Sequence, residues 1–171
     1  MIEIEIDKLT NSIEEMATGK SLETAVLPVT SAELRKVTKK NGWLFGWRAE
    51  AAKPHRNVFK LIAVENPSIV QGLVSLEAAI DHIYLHLVES APANQGKTKL
   101  YEGVPGNLFA YACKLAYEQG FEGNVAFTAK TRLVTHYTQK LGAWHIGGNR
   151  MLLDTYAAKQ LLTRYFPQYL V

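Results

Sequence analysis

The chain has 171 residues, 47% of them apolar and 20% charged, with a formal net charge of +3. That length fits one domain with a substantial core, and so mild a charge allows an anionic ligand without demanding nucleic acid. No apolar run approaches the roughly 18 residues of a membrane span, and the opening Met-Ile-Glu-Ile-Glu-Ile-Asp lacks the basic and apolar regions of a signal peptide, so a cytoplasmic location is expected. The alternation of Ile2, Ile4 and Ile6 with Glu3 and Glu5 predicts a half-buried strand. Asp7 to Met16 reads as a short helix, broken at Thr18–Ser21, and Glu23 to Val29 as an extended segment. Thr30 or Ser31 is placed to cap a helix running through Lys40. Arg35, Lys36, Lys39 and Lys40 make that helix basic, and a solvated face is the expected reading over a nucleic-acid site. The aromatic stretch Gly42–Trp47 fits either a mobile loop over a pocket or a plug at the edge of the core.

Three strands are predicted next, over Val58–Val64, Ile69–Ala78 and His82–Val88, with turns short enough for antiparallel neighbours. A strand at Val125–Ala129 follows a helix and should lie parallel to His82–Val88, because a helix crosses between the two. Thr131 is placed to cap a helix to Leu141, ended by Gly142. A hairpin turns at Gly147-Gly148-Asn149, and Thr155 opens a last helix that stops before Pro167.

The stretch Glu89–Gly120 is the most informative. Leu108, Ala112, Leu115 and Ala116 recur at helical spacing, and Gly120 is a natural stop. Before them, Gly103-Val104-Pro105-Gly106 forms a turn at the helix N-terminus, where unpaired N–H groups and the helix dipole attract phosphate. A plain strand–loop–helix connection fits the same spacing. Cys113, the one cysteine, sits on the apolar helix and is expected to be a buried thiol.

The run Gln71–Gly142, through HIYLHLVESAP, YEGVPGNLFAYACKLAYEQGF, NVAFTAK and HYTQKLGA, resembles the core of the GCN5-related N-acetyltransferase family. Aligned on Gly106, Tyr101 and Val104 stand where the family has Arg or Gln and its first Gly. The resemblance implies a mixed, mostly antiparallel sheet with one splayed parallel pair, helices on both faces, and an acetyl-CoA-dependent transfer to an amine. It implies that Val88, Glu89, Ser90 and Ala91 bind pantetheine, and that Gly103, Val104, Gly106, Asn107 and Leu108 line the pyrophosphate site. Pro105 has no N–H to offer. Tyr137 is then the candidate general acid, although it precedes Gly142 by five positions where the common pattern has four. Glu89 is the candidate general base, its side chain re-aimed by a bulge. The partners implied are a coenzyme A thioester and an amine acceptor, with oligomerisation possible. A non-catalytic coenzyme A-binding module fits the same fold. His82 and His86 lie about 13 Å apart along a strand, too far to share a metal ion, so no metal site is expected.

Overall fold

A computed structural model describes residues 1–170 of the chain. Among them are ten strands and five α-helices. The strands are β1 (Ile13–Glu15), β2 (Ser21–Leu22), β3 (Thr24–Pro28), β4 (Asn57–Ala63), β5 (Gly72–Ala78), β6 (Ile83–Ser90), β7 (Tyr101–Glu102), β8 (Val125–Thr128), β9 (Trp144–Gly147) and β10 (Arg150–Leu153). The helices are α1 (Ser31–Leu34), α2 (Trp47–Ala52), α3 (Val104–Glu118), α4 (Val134–Leu141) and α5 (Thr155–Tyr165). A seven-stranded sheet has the order β3-β4-β5-β6-β8-β10-β9, and a small sheet has the order β2-β1-β7. Every pairing in the large sheet is antiparallel except β6 with β8, the pair that α3 connects. The expected mixed sheet with one parallel pair is therefore the observed one.

Side-chain alternation divides the core between the two faces of this sheet. Val74, Leu76, Leu85 and Val88 meet α3, α4 and α5 in the larger apolar cluster. Leu73 faces the other way and packs with Leu34, Val37, Trp43 and Trp47 in the smaller one. Helix α3 begins at Gly103, which caps it in the left-handed conformation at φ 94°, and Gly120 at φ 82° follows its end. The helix is buried along most of its length, and the Cys113 thiol is fully buried, which pushes its pKa far up. Phe109, Phe127 and Tyr137 form an aromatic triangle under the sheet with ring centroids 5.3–5.9 Å apart.

Several expected elements differ. Asp7–Met16 contains no helix. Its last residues make β1, because Ile13 and Glu14 pair with β2 and Glu14 and Glu15 with β7. The alternation of Ile2 to Ile6 survives in the burial of Ile2 and Ile6, yet the segment pairs only through Ile2. Thr30 does cap α1 in a capping box with Glu33, but the helix ends at Leu34. Arg35, Lys36, Lys39 and Lys40 are exposed on the turns that follow. Lys130 precedes a 3-10 turn at Thr131–Leu133, with no side-chain cap from Thr131. Asp154, not Thr155, caps α5, accepting from the Ala157 N–H at 2.9 Å.

Gly72 sets how closely α3 lies on the sheet. A Cβ there would stand 2.7 Å from Val104 Cγ1 and 3.1 Å from the Glu89 carbonyl oxygen. Gly72→Ala should therefore cost about 1–3 kcal/mol of stability by overpacking, read as a lower urea midpoint with an unchanged slope.

Candidate functional site

The site is built on the parting of β6 from β8. The two pair in parallel only over Ile83–Leu85 and Val125–Phe127, after which β6 continues to Ser90 and β8 to Thr128 without pairing with one another. Between the β5 pairs Ser75↔Leu87 and Leu76↔Leu85 the register of β6 shifts, leaving His86 as the extra residue. The bulge expected at Glu89 is thus at His86, where the added twist helps carry β6 away from β8. Glu89 stays on the face that alternation gives it, with Leu87 and the smaller cluster.

The chain's own N-terminal segment enters the gap. Ile2 pairs in parallel with Ala129. Its N–H donates to the Thr128 carbonyl at 2.6 Å and its carbonyl accepts from the Lys130 N–H at 2.9 Å. Farther along, the Ile6 N–H donates to His136 Nε2 at 2.8 Å. A cavity of about 290 Å³ remains, lined by Ile4 and Asp7 of this segment, by Val88, Glu89 and Ser90 of β6, and by Phe45.

Tyr137 lies under the segment. It is fully buried, its hydroxyl donates to the Ile4 carbonyl oxygen, and burial pushes its pKa far above that of a free phenol. The hydroxyl does not line the cavity. Glu89 does line it, held by the Gly42–Trp47 loop. Its Oε2 accepts from the Leu44 N–H at 2.7 Å, and its Oε1 from the Phe45 N–H at 3.3 Å and the Trp47 indole N–H at 2.8 Å. The loop is packed, with Trp43 and Trp47 buried. A carboxylate offers about four lone-pair sites, so one position remains toward the cavity.

Gly103, Val104, Gly106, Asn107 and Leu108 lie at the N-cap and start of α3. The Gly103 N–H is shared by the two Asp7 carboxylate oxygens at 3.2 and 3.4 Å, and Lys99 Nζ donates to Asp7 Oδ2 at 3.0 Å. The space where a Gly106 Cβ would stand holds the Tyr165 hydroxyl and Leu9. Asn107 donates from Nδ2 to Thr24 Oγ1 at 3.0 Å, while its buried Oδ1 has no partner among the described residues. At the end of β6, the Ser90 carbonyl accepts from Gln95 Nε2 at 2.6 Å and the Ala91 N–H donates to the Gln71 carbonyl at 2.9 Å. Asn94 is structural, bonding Gln71 and the Tyr101 N–H.

Sequence reasoning missed Asp7, Lys99 and His136: Asp7 meets Gly103 across 96 positions and Lys99 across 92, and His136 meets Ile6 across 130, so no local window signals these contacts. It also missed a polar cluster on the α2 face of the sheet. There Arg56 joins Glu50 at 3.1 Å to Glu77 at 2.9 Å, Ser75 Oγ donates to Glu50 at 2.7 Å, and His86 Nε2 lies 2.8 Å from Glu77. Burial holds the His86 pKa below the usual imidazole range. At neutral pH the ring is uncharged, donates from Nε2 to the carboxylate, and keeps its lone pair on Nδ1.

A seven-stranded mixed sheet, one parallel pair parting around a helix crossover, and helices on both faces define the acyl-CoA N-acyltransferase fold of the GCN5-related N-acetyltransferases. No protein-family model matches the sequence, and no curated protein does. Solved structures do match. A chimera of the spermidine N-acetyltransferase SpeG from Vibrio cholerae and hSSAT superposes with a TM-score of 0.58 at 14% identity, over 80% of this chain and 98% of that one. The AtaTR complex bound with acetyl-CoA gives 0.54 at 13%, over 82% and 98%. A ribosomal-protein alanine N-acetyltransferase from Escherichia coli gives 0.52 at 11%, over 76% and 90%. At these identities the likeness is one of fold.

Glu89→Gln replaces an acceptor of three N–H bonds with an amide that turns an NH₂ toward some of those donors. A loss of about 2–3 kcal/mol in stability is expected, together with a red-shifted Trp emission as the Trp43–Trp47 loop loosens. Unchanged stability and emission would remove Glu89 as the anchor of that loop.

Proposed function

We propose that the chain is an acetyl-CoA-dependent N-acetyltransferase that moves an acetyl group to a primary amine by direct attack in a ternary complex. The observation that carries this reading is the splay of β6 from β8 after three paired residues, with the N-terminus of the 15-residue helix α3 at its mouth. In the proposed complex the pantetheine runs along Val88, Glu89, Ser90 and Ala91 as an added strand would. The pyrophosphate meets the Gly103–Leu108 turn, whose first helical N–H groups have no partner within the helix. Lys99 adds the positive charge that the turn itself lacks. The acetyl-CoA complex of one structural neighbour and the amine named for another support the same chemistry here.

In the proposed reaction, the amine nitrogen attacks the thioester carbonyl carbon, the C–S bond breaks, and the acetyl group stays on nitrogen. The proton lost by the amine goes to Glu89 through water at its remaining lone pair. The departing thiolate takes a proton from Tyr137. Tyr137 with its pKa pushed up by burial is a weak donor to a thiolate of pKa about 8.5, so the hydroxyl must be hydrated, and the gap open, when the step occurs. One observation favours a second reading, a non-catalytic coenzyme A-binding module: the Tyr137 hydroxyl is bonded to Ile4 and shut off from the cavity. Acetyl transfer separates the two.

Two measurements check the proposal. Release of coenzyme A thiol from acetyl-CoA is followed with polyamines, aminoglycosides, amino acids and peptides as acceptors, and Tyr137→Phe should lower kcat by less than the roughly 10⁴-fold upper end of general acid–base effects. Coenzyme A affinity is measured by calorimetry. Gly106→Asp would drive its side chain into Tyr165, so Lys99→Ala is the informative variant, and its Kd should rise about tenfold or more for the loss of a charged hydrogen bond. Wild-type protein that neither binds coenzyme A nor turns over acetyl-CoA would sink the reading.

A further inference from the structure

We propose, on the reading of the β6–β8 gap as the donor site, that the segment Ile2–Asp7 is a built-in competitor of coenzyme A, and that donor binding requires this segment to leave the gap. Each part of the segment stands where a part of the donor would. Ile2 takes the exposed edge of β8 beyond the split, with both its N–H and its carbonyl bonded there. The proposed pantetheine path lies along the facing edge of β6, so segment and pantetheine compete for the width of one gap. The Ile4 carbonyl accepts the Tyr137 hydroxyl, the group that would otherwise face the leaving sulfur. Asp7 places a carboxylate on the Gly103 N–H and the Lys99 ammonium, the charge partners a pyrophosphate would use.

The neighbouring residues close the remaining space. Leu9 and the Tyr165 hydroxyl fill the region beside Gly106, and the Tyr165 hydroxyl accepts from the Thr10 N–H at 2.9 Å. The segment is also anchored from both sides. Ile2 and Ile6 are buried in the main apolar cluster, Lys130 pairs with Glu3 at 2.7 Å, and His136 Nε2 accepts the Ile6 N–H. A groove filled this way binds its ligand with an affinity reduced by the fraction of molecules in which it is open. Weakening the anchors therefore raises apparent donor affinity, whereas removing an ordinary part of the fold lowers it or leaves it unchanged.

The test measures coenzyme A binding by calorimetry to wild-type protein, Asp7→Ala and Ile6→Asp, and follows wild-type amide hydrogen exchange at Ile2 and Ile6 with and without saturating coenzyme A. The expected result is at least a tenfold lower Kd in each variant and loss of protection at both amides when coenzyme A is added. Should Ile6→Asp fail to fold, Asp7→Ala and the wild-type exchange decide the outcome. Coenzyme A that binds all three proteins equally, leaving Ile2 and Ile6 protected, overturns the competitor while leaving the donor site standing. No binding to any of the proteins overturns both.

Discussion

The irregular features around the gap follow from one parting of strands. Where β6 and β8 stop pairing, two rows of backbone N–H and carbonyl groups lose their partners inside a protein, and buried backbone groups must be satisfied. The edge of β8 is met by Ile2. The end of β6 is met on one side by Gln71 and Gln95 and left open to a cavity on the other. The bulge at His86 supplies the extra twist that lets the strands diverge at all. A fold that closed this split would have a better sheet and no groove.

Two carboxylates organise the segments around the split by the same physics. Glu89 and Asp7 both accept backbone N–H groups, Glu89 from the Gly42–Trp47 loop and Asp7 from Gly103 at the cap of α3. A carboxylate drawn out of water is expensive unless its lone pairs are used, so the buried Glu89 and the part-buried Asp7 each favour the backbone conformation that delivers N–H groups to them. Glu89 shapes the Gly42–Trp47 loop in this way, across more than 40 positions of sequence. Asp7 fixes the path by which the N-terminal segment crosses the start of α3, and Lys99 balances its charge.

What was legible in the sequence was what is local. The runs that became β4, β5, β6 and β8, the helix from Val104 to Glu118 and the hairpin of β9 and β10 each carry their own period, breaker or turn. That the end of the strand carrying Glu89 lies beside the start of α3 was legible through the resemblance, since the order of elements fixes which loops meet. The use made of these residues was not. The interval Asp7–Met16 has the polar and apolar mixture of a short helix, but Thr10 and Ser12 are held by contacts to Tyr165 and Leu22 that no window around them contains. The bulge moved from Glu89 to His86 because register in β6 is set by its pairing with β5, not by β6 alone. Tyr137 lies on the inward face that its periodicity gives it, yet what its hydroxyl meets comes from residue 4.

The burial of Cys113 has a practical side. The thiol is sealed within α3, and its raised pKa keeps the reactive thiolate scarce at neutral pH. It is also the chain's one cysteine. The folded protein therefore presents a silent background to thiol-directed chemistry. A single cysteine introduced on the surface would take a dye or spin label alone, and loss of that selectivity would itself signal that α3 had come away from the sheet.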